Sequence, residues 1–433
     1  MAVADLPEES LRTDSAVVPQ DAEPRERRIV VGVGGGIAAY KTCHVVRNLK
    51  ERGDDVRVVP TEGALNFVGA ATWEALSGHP VSTTVFDAVD EVQHVRVGQE
   101  ADLIVIAPAT ADLMARLAAG RGDDLLTATV LVATCPVLIV PAMHTEMWQN
   151  PATRRNVEVL RGYGYTVMEP AHGRLTGKDT GAGRLPEPEQ IAELARTLVN
   201  GHHVDRDWEG REVLITAGGT QEDLDPVRYI GNRSSGRQGY ALAEAAVQRG
   251  AKVKIVAGNT ADLPTPPGAT VIKVSSTQEM YDAVRLHAAE SDVIIMAAAV
   301  ADFRPASSAE TKMKKGGDTE AGLQRIEMVE NPDILATVVA RRAEGAVPAE
   351  TLIVGFAAET GDEETSALEY AQAKLKRKGC DLLMCNDVSG GGVFGQPNNQ
   401  GWLLGKDGSV RDIADGSKLD VAVQILNGVD TLK

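Results

Sequence analysis

From Arg28 onward the chain alternates short Val/Ile runs with stretches whose apolar residues recur at helical spacing, and a Gly- or Pro-bearing turn stands between them. Residues 29–32 read as a buried strand, 34–36 as a turn, and 37–52 as a helix with Gly53 at the position after its end. Residues 56–59, 103–107, 137–140 and 166–168 read as the strands that follow. Around 202–208 the pattern breaks into a polar stretch and then restarts. There 213–217 reads as a strand, Gly218-Gly219-Thr220 as its turn, 239–249 as a helix closed by Gly250, and 253–257 as the next strand. The run 101–107 in the first half is echoed by 291–297 in the second. Strands alternating with helices make mainly parallel sheets covered on both faces, with ligands bound at the carboxyl ends of the strands. The pattern predicts two α/β domains, residues 28–208 and 209–433. Residues 1–27, polar, acidic and Pro-containing, are expected to be a disordered extension.

Composition narrows the possible functions. A hydrophobic fraction of 43% and a charged fraction of 24% are values of a soluble globular protein. No apolar run approaches the roughly 18 residues of a membrane span, and the first 27 residues hold no apolar stretch of signal type. A net charge of −17 argues against general binding to nucleic acid or anionic membrane. Any anionic ligand must then be met by local basic clusters. Cys43, Cys135, Cys380 and Cys385 have no CxxC spacing and read as reduced thiols of a cytoplasmic protein, with neither a zinc site nor a disulfide frame. With 43 glycines and only 4% aromatics, sites lined by backbone are expected.

Several motifs carry candidate chemistry. Gly32-Val33-Gly34-Gly35-Gly36 suits a phosphate over a helix N-terminus, but Ile37 breaks the dinucleotide spacing, and Pro60-Thr61 lacks the acidic residue that would hold a ribose. NAD is disfavoured. Residues 35–42 mimic a P-loop, yet Tyr40 replaces the glycine before Lys41-Thr42, which would put that lysine inside a helix. His94 falls in a loop-prone stretch ahead of a strand. Residues 231–237 offer small hydroxyls, an amide and two arginines before a helix, which makes either an anion cradle or a capped helix start. Lys312, Lys314 and Lys315, with Lys374, Lys376, Arg377 and Lys378, are solvated faces or, if brought together, a cradle for a nucleoside triphosphate. Asp302 suits a sugar hydroxyl, a metal ion or an N-cap.

Taken together, these residues resemble, from about Arg28 to the end, the bifunctional phosphopantothenoylcysteine decarboxylase / phosphopantothenate–cysteine ligase family of bacterial coenzyme A synthesis. The first half resembles the flavin-dependent cysteine decarboxylases through 34–41, His94, 107–110, Asp123-Asp124-Leu125-Leu126-Thr127 and 141–148. The second resembles the ligase through 215–220, 225–239, 297–302, 312–315, Asn331-Pro332-Asp333-Ile334, 355–360 and Asn386-Asp387-Val388. The resemblance implies two Rossmann-like domains with mainly parallel sheets, a flavoprotein fold followed by a ligase fold. It implies CTP and Mg²⁺ for activating 4′-phosphopantothenate as an acyl-cytidylate that cysteine then attacks, and FMN for the decarboxylation. His94 falls on the family's catalytic histidine, and Gly35, Gly36, Thr61 and Thr110 on FMN-binding positions. Asn232 and Lys312 fall on ligase catalytic positions. Met296, Ala297, Ala298, Asp302, Pro332, Asp333, Ile334, Leu335, Phe356, Lys374 and Lys378 fall on CTP-contacting ones, with Asp302 the metal candidate. The resemblance also implies a dodecamer of decarboxylase trimers and ligase dimers. Two departures matter: His144 stands where the family has asparagine, and Gly177 where it has an acidic cysteine. They leave His144 as a candidate proton donor beside Asp179, Lys178 or water. A single-activity flavoprotein with a degenerate first half, and a nucleotide-dependent oxidoreductase, are the competing readings.

Overall fold

The computed structural model describes residues 26–86, 93–175, 179–313, 326–361, 365–387 and 398–432. The disorder expected before residue 26, and the positions Gly177, Lys178, Lys314, Lys315 and Val388, lie outside the described residues. In the first half, β1 (Arg28–Val33), β2 (Asp55–Pro60), β3 (Leu103–Ala109), β4 (Val137–Pro141) and β5 (Thr166–Val167) form one parallel sheet in the order β2-β1-β3-β4-β5. A hairpin of β6 (Ala171–Arg174) and β7 (Thr180–Arg184) follows. The second half contains β8 (Glu212–Ala217), a hairpin of β9 (Gln221–Asp225) and β10 (Arg228–Gly231), β11 (Lys252–Ala257), β12 (Thr270–Lys273) and β13 (Val293–Met296). It continues with a ribbon of β14 (Phe303–Pro305) and β15 (Met328–Glu330), then β16 (Leu352–Glu359), β17 (Leu382–Asp387), β18 (Asn398–Gly405) and β19 (Val410–Ser417). Its main sheet runs β12-β11-β8-β13-β16-β17-β18-β19, parallel as far as β17 and antiparallel beyond. The fold is α/β with mainly parallel sheets.

Central strands such as β3 and β13 are buried on both faces, which is why they read as unbroken apolar runs rather than alternations. The echo between 101–107 and 291–297 is structural. Asp102 opens β3 and accepts the backbone N–H of Arg28 on β1 (2.8 Å); Asp292 does the same for Glu212 on β8 (2.8 Å). Asp381 repeats the device for Ile353 on β16 (2.8 Å). In each case a carboxylate satisfies a donor at the start of the neighbouring strand and fixes the register.

Two expectations are corrected. The first helix spans Ala39–Lys50, because residues 36–38 form a turn (Ala39 N–H to Gly36 O, 2.9 Å) that leaves Ile37 in solvent. His94 lies on a helix, Gln93–Glu100, and not in a loop. Gly98, which made the stretch look loop-like, lets this helix press on Leu125–Val132; a Cβ there would stand 2.6 Å from Thr129 O. Among the described residues no helix is long and apolar enough to cross a membrane.

The halves share a core. Leu194 and Leu198 of the helix Pro188–Val199 belong to the same apolar cluster as Leu242, Ile425 and Leu426 of the second half. Thr197 Oγ1 donates to Asp420 (2.7 Å) across the seam. Glu244 is buried there too, its carboxyl accepting N–H bonds from Gln190 (2.9 Å) and Gln248 (2.8 Å). Burial pushes its pKa from the ordinary 4.5 up to about 7, the two amides only partly offsetting the loss of water. The folded protein therefore keeps a proton that the unfolded chain gives up. Stability falls as pH rises through that window and is level above it, by on the order of 3 kcal/mol. We expect Glu244→Gln to flatten this part of the curve. Melting scans of both proteins from about pH 5 to about pH 8 check it, and equal slopes would refute it.

Candidate active sites

In the first sheet the strand order reverses between β1 and β3, so the connections leave to opposite faces and open a crevice at the carboxyl edge. Gly34-Gly35-Gly36 stands in that crevice. Gly34 N–H donates to Pro108 O (3.0 Å), and a Cβ on Gly34 would lie 2.4 Å from that oxygen. A Cβ on Gly35 would lie 2.9 Å from the Gly63 backbone, and one on Gly36 3.4 Å from Thr110 Cγ2. Thr61 and Thr110 close β2 and β3 and cap the next helical segments, accepting from Ala64 N–H (3.3 Å) and Leu113 N–H (3.2 Å). Gly35, Gly36, Thr61 and Thr110 thus meet at one edge. The P-loop-like spelling is structural instead: Lys41 pairs with Glu187 (3.3 Å) and Thr42 Oγ1 donates to Ala107 O (2.8 Å).

The loop after β4 carries His144, exposed at the start of the short helix Thr145–Gln149 and making no capping bond. The hairpin β6–β7 closes against this loop through Met143 N–H to Gly183 O (2.9 Å). Gly183 has φ +132°, and a Cβ on it would stand 2.2 Å from Met143 O. The strand after residues 176–178 is thereby held beside His144. His94 is half-buried, and its Nδ1 and the neighbouring Gln93 Oε1 are buried with no partner among the described residues. No hydrogen bond or ion pair joins His94 to His144 or to the glycine turn among the described residues.

The second sheet reverses between β8 and β13, and a cavity of about 560 Å³ opens there. Thr216 Oγ1 accepts from Ala298 N–H (3.1 Å) and Thr220 Oγ1 from Ala301 N–H (2.9 Å), fixing the exit of β13. Asn232 Nδ2 donates to Val300 O (2.9 Å). The helix Arg237–Gln248 begins at Gly236 (φ +74°), and no side chain caps its first N–H groups. Gly239 allows the helix to lie directly on β8, since a Cβ would sit 2.6 Å from Ala217 Cβ. An open helix N-terminus therefore faces the cavity, which favours the anion-cradle reading of 231–237.

Asn232, Ala297, Ala298, Asp302, Phe356 and Lys374 line this cavity together. Met296 is buried at the end of β13. Pro332, Asp333, Ile334, Leu335 and Lys378 are not in its lining. Asp333 caps the helix Ile334–Ala343 and pairs with Lys378, whose ammonium holds that carboxyl below its ordinary range against the effect of burial. Lys374 pairs with Glu359 (2.9 Å). Lys312 is exposed after β14, also outside the lining. Among the described residues no group of three or more His, Cys, Asp or Glu is placed to hold a metal ion. Asn399 and Lys418 also line the cavity and escaped the sequence reading. The Ser417/Asp420 capping box marks the helix that Lys418 opens, while nothing in the sequence around Asn399 singles it out.

Residues 18–200 match the family described as Flavoprotein, and residues 208–432 match the DNA/pantothenate metabolism flavoprotein C-terminal domain. Fold and matches together define a flavoprotein half joined to a pantothenate-metabolism half. The chain is 58% identical over 406 residues to the coenzyme A biosynthesis bifunctional protein CoaBC of Mycobacterium tuberculosis (94% of this chain, 96% of that one). It is 44% identical over 409 residues to the protein of that name from Vibrio vulnificus (94% and 98%). A crystal structure of the C-terminal domain of such a protein matches at 35% identity and TM-score 0.43, over 53% of this chain and 98% of its own. The chain belongs to the family of bifunctional coenzyme A biosynthesis proteins, and it is an enzyme with a decarboxylase and a ligase activity.

Gly183 gives a way to separate the two halves. Alanine there is strained in φ and collides with Met143 O, so the hairpin must move off the His144 loop. We expect Gly183→Ala to slow decarboxylation on the order of a hundredfold, as a displacement of about 1 Å does, and to leave ligation unchanged. Parallel assays of carbon dioxide release and CMP formation check this.

Proposed function

We propose that the second half joins cysteine to 4′-phosphopantothenate at the expense of CTP, and that the first half decarboxylates the product with FMN. The observation that carries this reading is the cavity between β8 and β13, where Asn232, Ala297, Ala298, Asp302, Phe356 and Lys374, from separate stretches of the chain, line one space. In the ligase step the substrate carboxylate attacks the α-phosphorus of CTP and pyrophosphate leaves. The amine of cysteine then attacks the acyl carbon of the cytidylate and CMP leaves. The bond from Asn232 Nδ2 to Val300 O leaves its Oδ1 for substrate. Lys312 offers a cation to the charge that develops on the transferred phosphorus. Asp302 is a single exposed carboxylate, which suits Mg²⁺ held chiefly by substrate phosphates.

In the first half, Gly35 and Gly36 give a backbone cradle for the phosphate of FMN, with Thr61 and Thr110 beside it. FMN supplies reversible two-electron oxidation of the cysteinyl side chain, which makes loss of the neighbouring carboxylate easy. His94, whose buried Nδ1 has no partner among the described residues, assists the oxidative step. His144 supplies the proton at carbon, since a protonated imidazole can donate one and Gly177 has no acid to offer. Exposed apolar side chains on the small ribbons of the second half (Val227, Tyr229, Phe303, Met328) and on the first half (Ile37, Tyr40, Phe86) support an assembly of ligase dimers and decarboxylase trimers, a dodecamer.

Purified protein given 4′-phosphopantothenate, cysteine, CTP and Mg²⁺ is expected to yield CMP, pyrophosphate, carbon dioxide and the decarboxylated thiol, followed by mass spectrometry. Absence of both CMP and carbon dioxide defeats the reading. Lys312→Ala should slow CMP formation by the equivalent of about 3 kcal/mol; a rate within a few-fold of wild type would leave Lys312 a solvated lysine. His144→Ala with FMN bound should accumulate a product lighter by two hydrogens, whereas normal product at near-normal rate removes His144 as the acid.

A further inference from the structure

One wall of the second cavity is held from behind by a buried carboxylate. Glu222, on β9, is 4% exposed and lies outside the cavity lining. Its Oε1 accepts both the backbone N–H of Thr277 (2.9 Å) and the Thr277 hydroxyl (2.6 Å). Thr277 and Thr220 are fully buried, and their hydroxyl oxygens lie 3.0 Å apart. A hydroxyl has one hydrogen and two lone pairs, and the short contact commits the hydrogen of Thr277 to Glu222. The Thr277 oxygen is then an acceptor, the Thr220 hydroxyl turns to it, and the Thr220 oxygen is left to accept Ala301 N–H (2.9 Å).

The relay ends on the stretch that leaves β13. Asn331 Nδ2 donates to Ala301 O (2.9 Å) and to the Thr277 oxygen (3.3 Å), while its Oδ1 accepts from Arg304 (3.0 Å). Asn331 N–H donates to Asp302 O (2.8 Å). Both backbone groups of Ala301 and the carbonyl of Asp302 are thus held, and Asp302 lines the cavity. Asn232 is anchored on the same stretch through Val300 O (2.9 Å). Helix capping does not require this relay, because Ser276 already caps the helix Thr277–His287 by accepting Glu279 N–H (3.2 Å). Hydroxyls that run sideways from Glu222 to Ala301 serve the wall, and a fully bonded buried network makes that wall rigid.

We propose that Glu222 is a positioning residue of the ligase. Through Thr277 and Thr220 it fixes residues 298–302, so that Asp302 and Asn232 meet the nucleotide at set places. Without the carboxylate, the Thr277 hydroxyl is free to turn to Ala301 O (3.5 Å), where it competes with Asn331 and lets the wall shift. The inference rests on the reading of this cavity as the ligase site.

The test uses the full chain and follows CMP release while CTP and cysteine are varied in turn. Glu222→Ala should raise the KM for CTP at least about tenfold, as expected when buried donors are left unmet. The KM for cysteine, which enters after the cytidylate has formed, should stay within a few-fold of wild type. Thr277→Val, close to isosteric, breaks the relay at its second member and should give a similar change. It also covers the case in which the alanine variant does not fold. The double variant should be no worse than the poorer single one, because both act through one relay. Glu222→Gln, which keeps an oxygen acceptor, should recover most of the loss. An unchanged KM for CTP in either folded variant overturns the proposal. So do equal rises for CTP and cysteine, the mark of general loosening, and so do additive single effects. Wild-type protein that releases no CMP defeats the ligase reading itself, a result distinct from these.

Discussion

A guanidinium withdrawn from water is tolerable only when its donors are met by fixed acceptors, and Arg249 imposes that demand at the join between the halves. It is 3% exposed, bonded to Asp207 and Asp430, and stacked over Trp208 at 4.7 Å. Asp207 and Trp208 belong to the segment that connects the halves, Asp430 to the last helix, and Arg249 follows the helix that opens at the second cavity. Trp208 Nε1 and Arg211 bond the same Asp430 carboxylate. Removing one member would strand a buried charge, a loss of about 3–5 kcal/mol in such clusters. The connecting polar stretch is thus a fixed strut, and the helix behind the second cavity is positioned by the same ion cluster that closes the seam.

Fixing that helix matters because both candidate sites are built from strand ends, not from dedicated domains. In a parallel sheet the chain reverses direction through helices, so helix N-termini and strand carboxyl ends share one edge. Gly34 on Pro108 and Gly239 on Ala217 do equivalent jobs in the two halves, bringing a loop or a helix close enough that backbone N–H groups face a ligand. The aspartates at the other edge, Asp102 and Asp292, hold the register from which those ends are measured.

Much of this was legible in the sequence because central parallel strands are apolar throughout and glycines mark the helix ends, as at Gly53 (φ +95°) and Gly250 (φ +92°). The glycine turn after β1 and the turn at 231–237 ahead of a helix were legible for the same reason: their residue types are what the backbone geometry requires. His94 was misplaced because its helix is short and polar, and its one glycine serves helix packing, which has no local signature. Asn399 and Lys418 were missed because they come from the antiparallel end of the sheet and the helix after it. They reach the cavity only through the pairing of β18 with β17 and of β19 with β18. Lys378 and Asp333 read as nucleotide positions, and they form an ion pair with each other in the chain.

That last pairing bears on how an acidic protein would admit a polyanion. Lys374 and Lys378 are each paired with a carboxylate, Glu359 and Asp333, while Arg237 and Lys418 have none among the described residues. A phosphate group reaching the paired lysines must displace or share a carboxylate, so the gain is only the difference between two ion pairs, both partly in water. One reaching Arg237 and Lys418 relieves repulsion that already exists. The same net charge of −17 that repels anions from most of the surface therefore concentrates the attraction on the cavity cations that have no carboxylate partner among the described residues. Placing those cations on helix first turns, where they cannot be satisfied by their own helix, keeps them available for the incoming group.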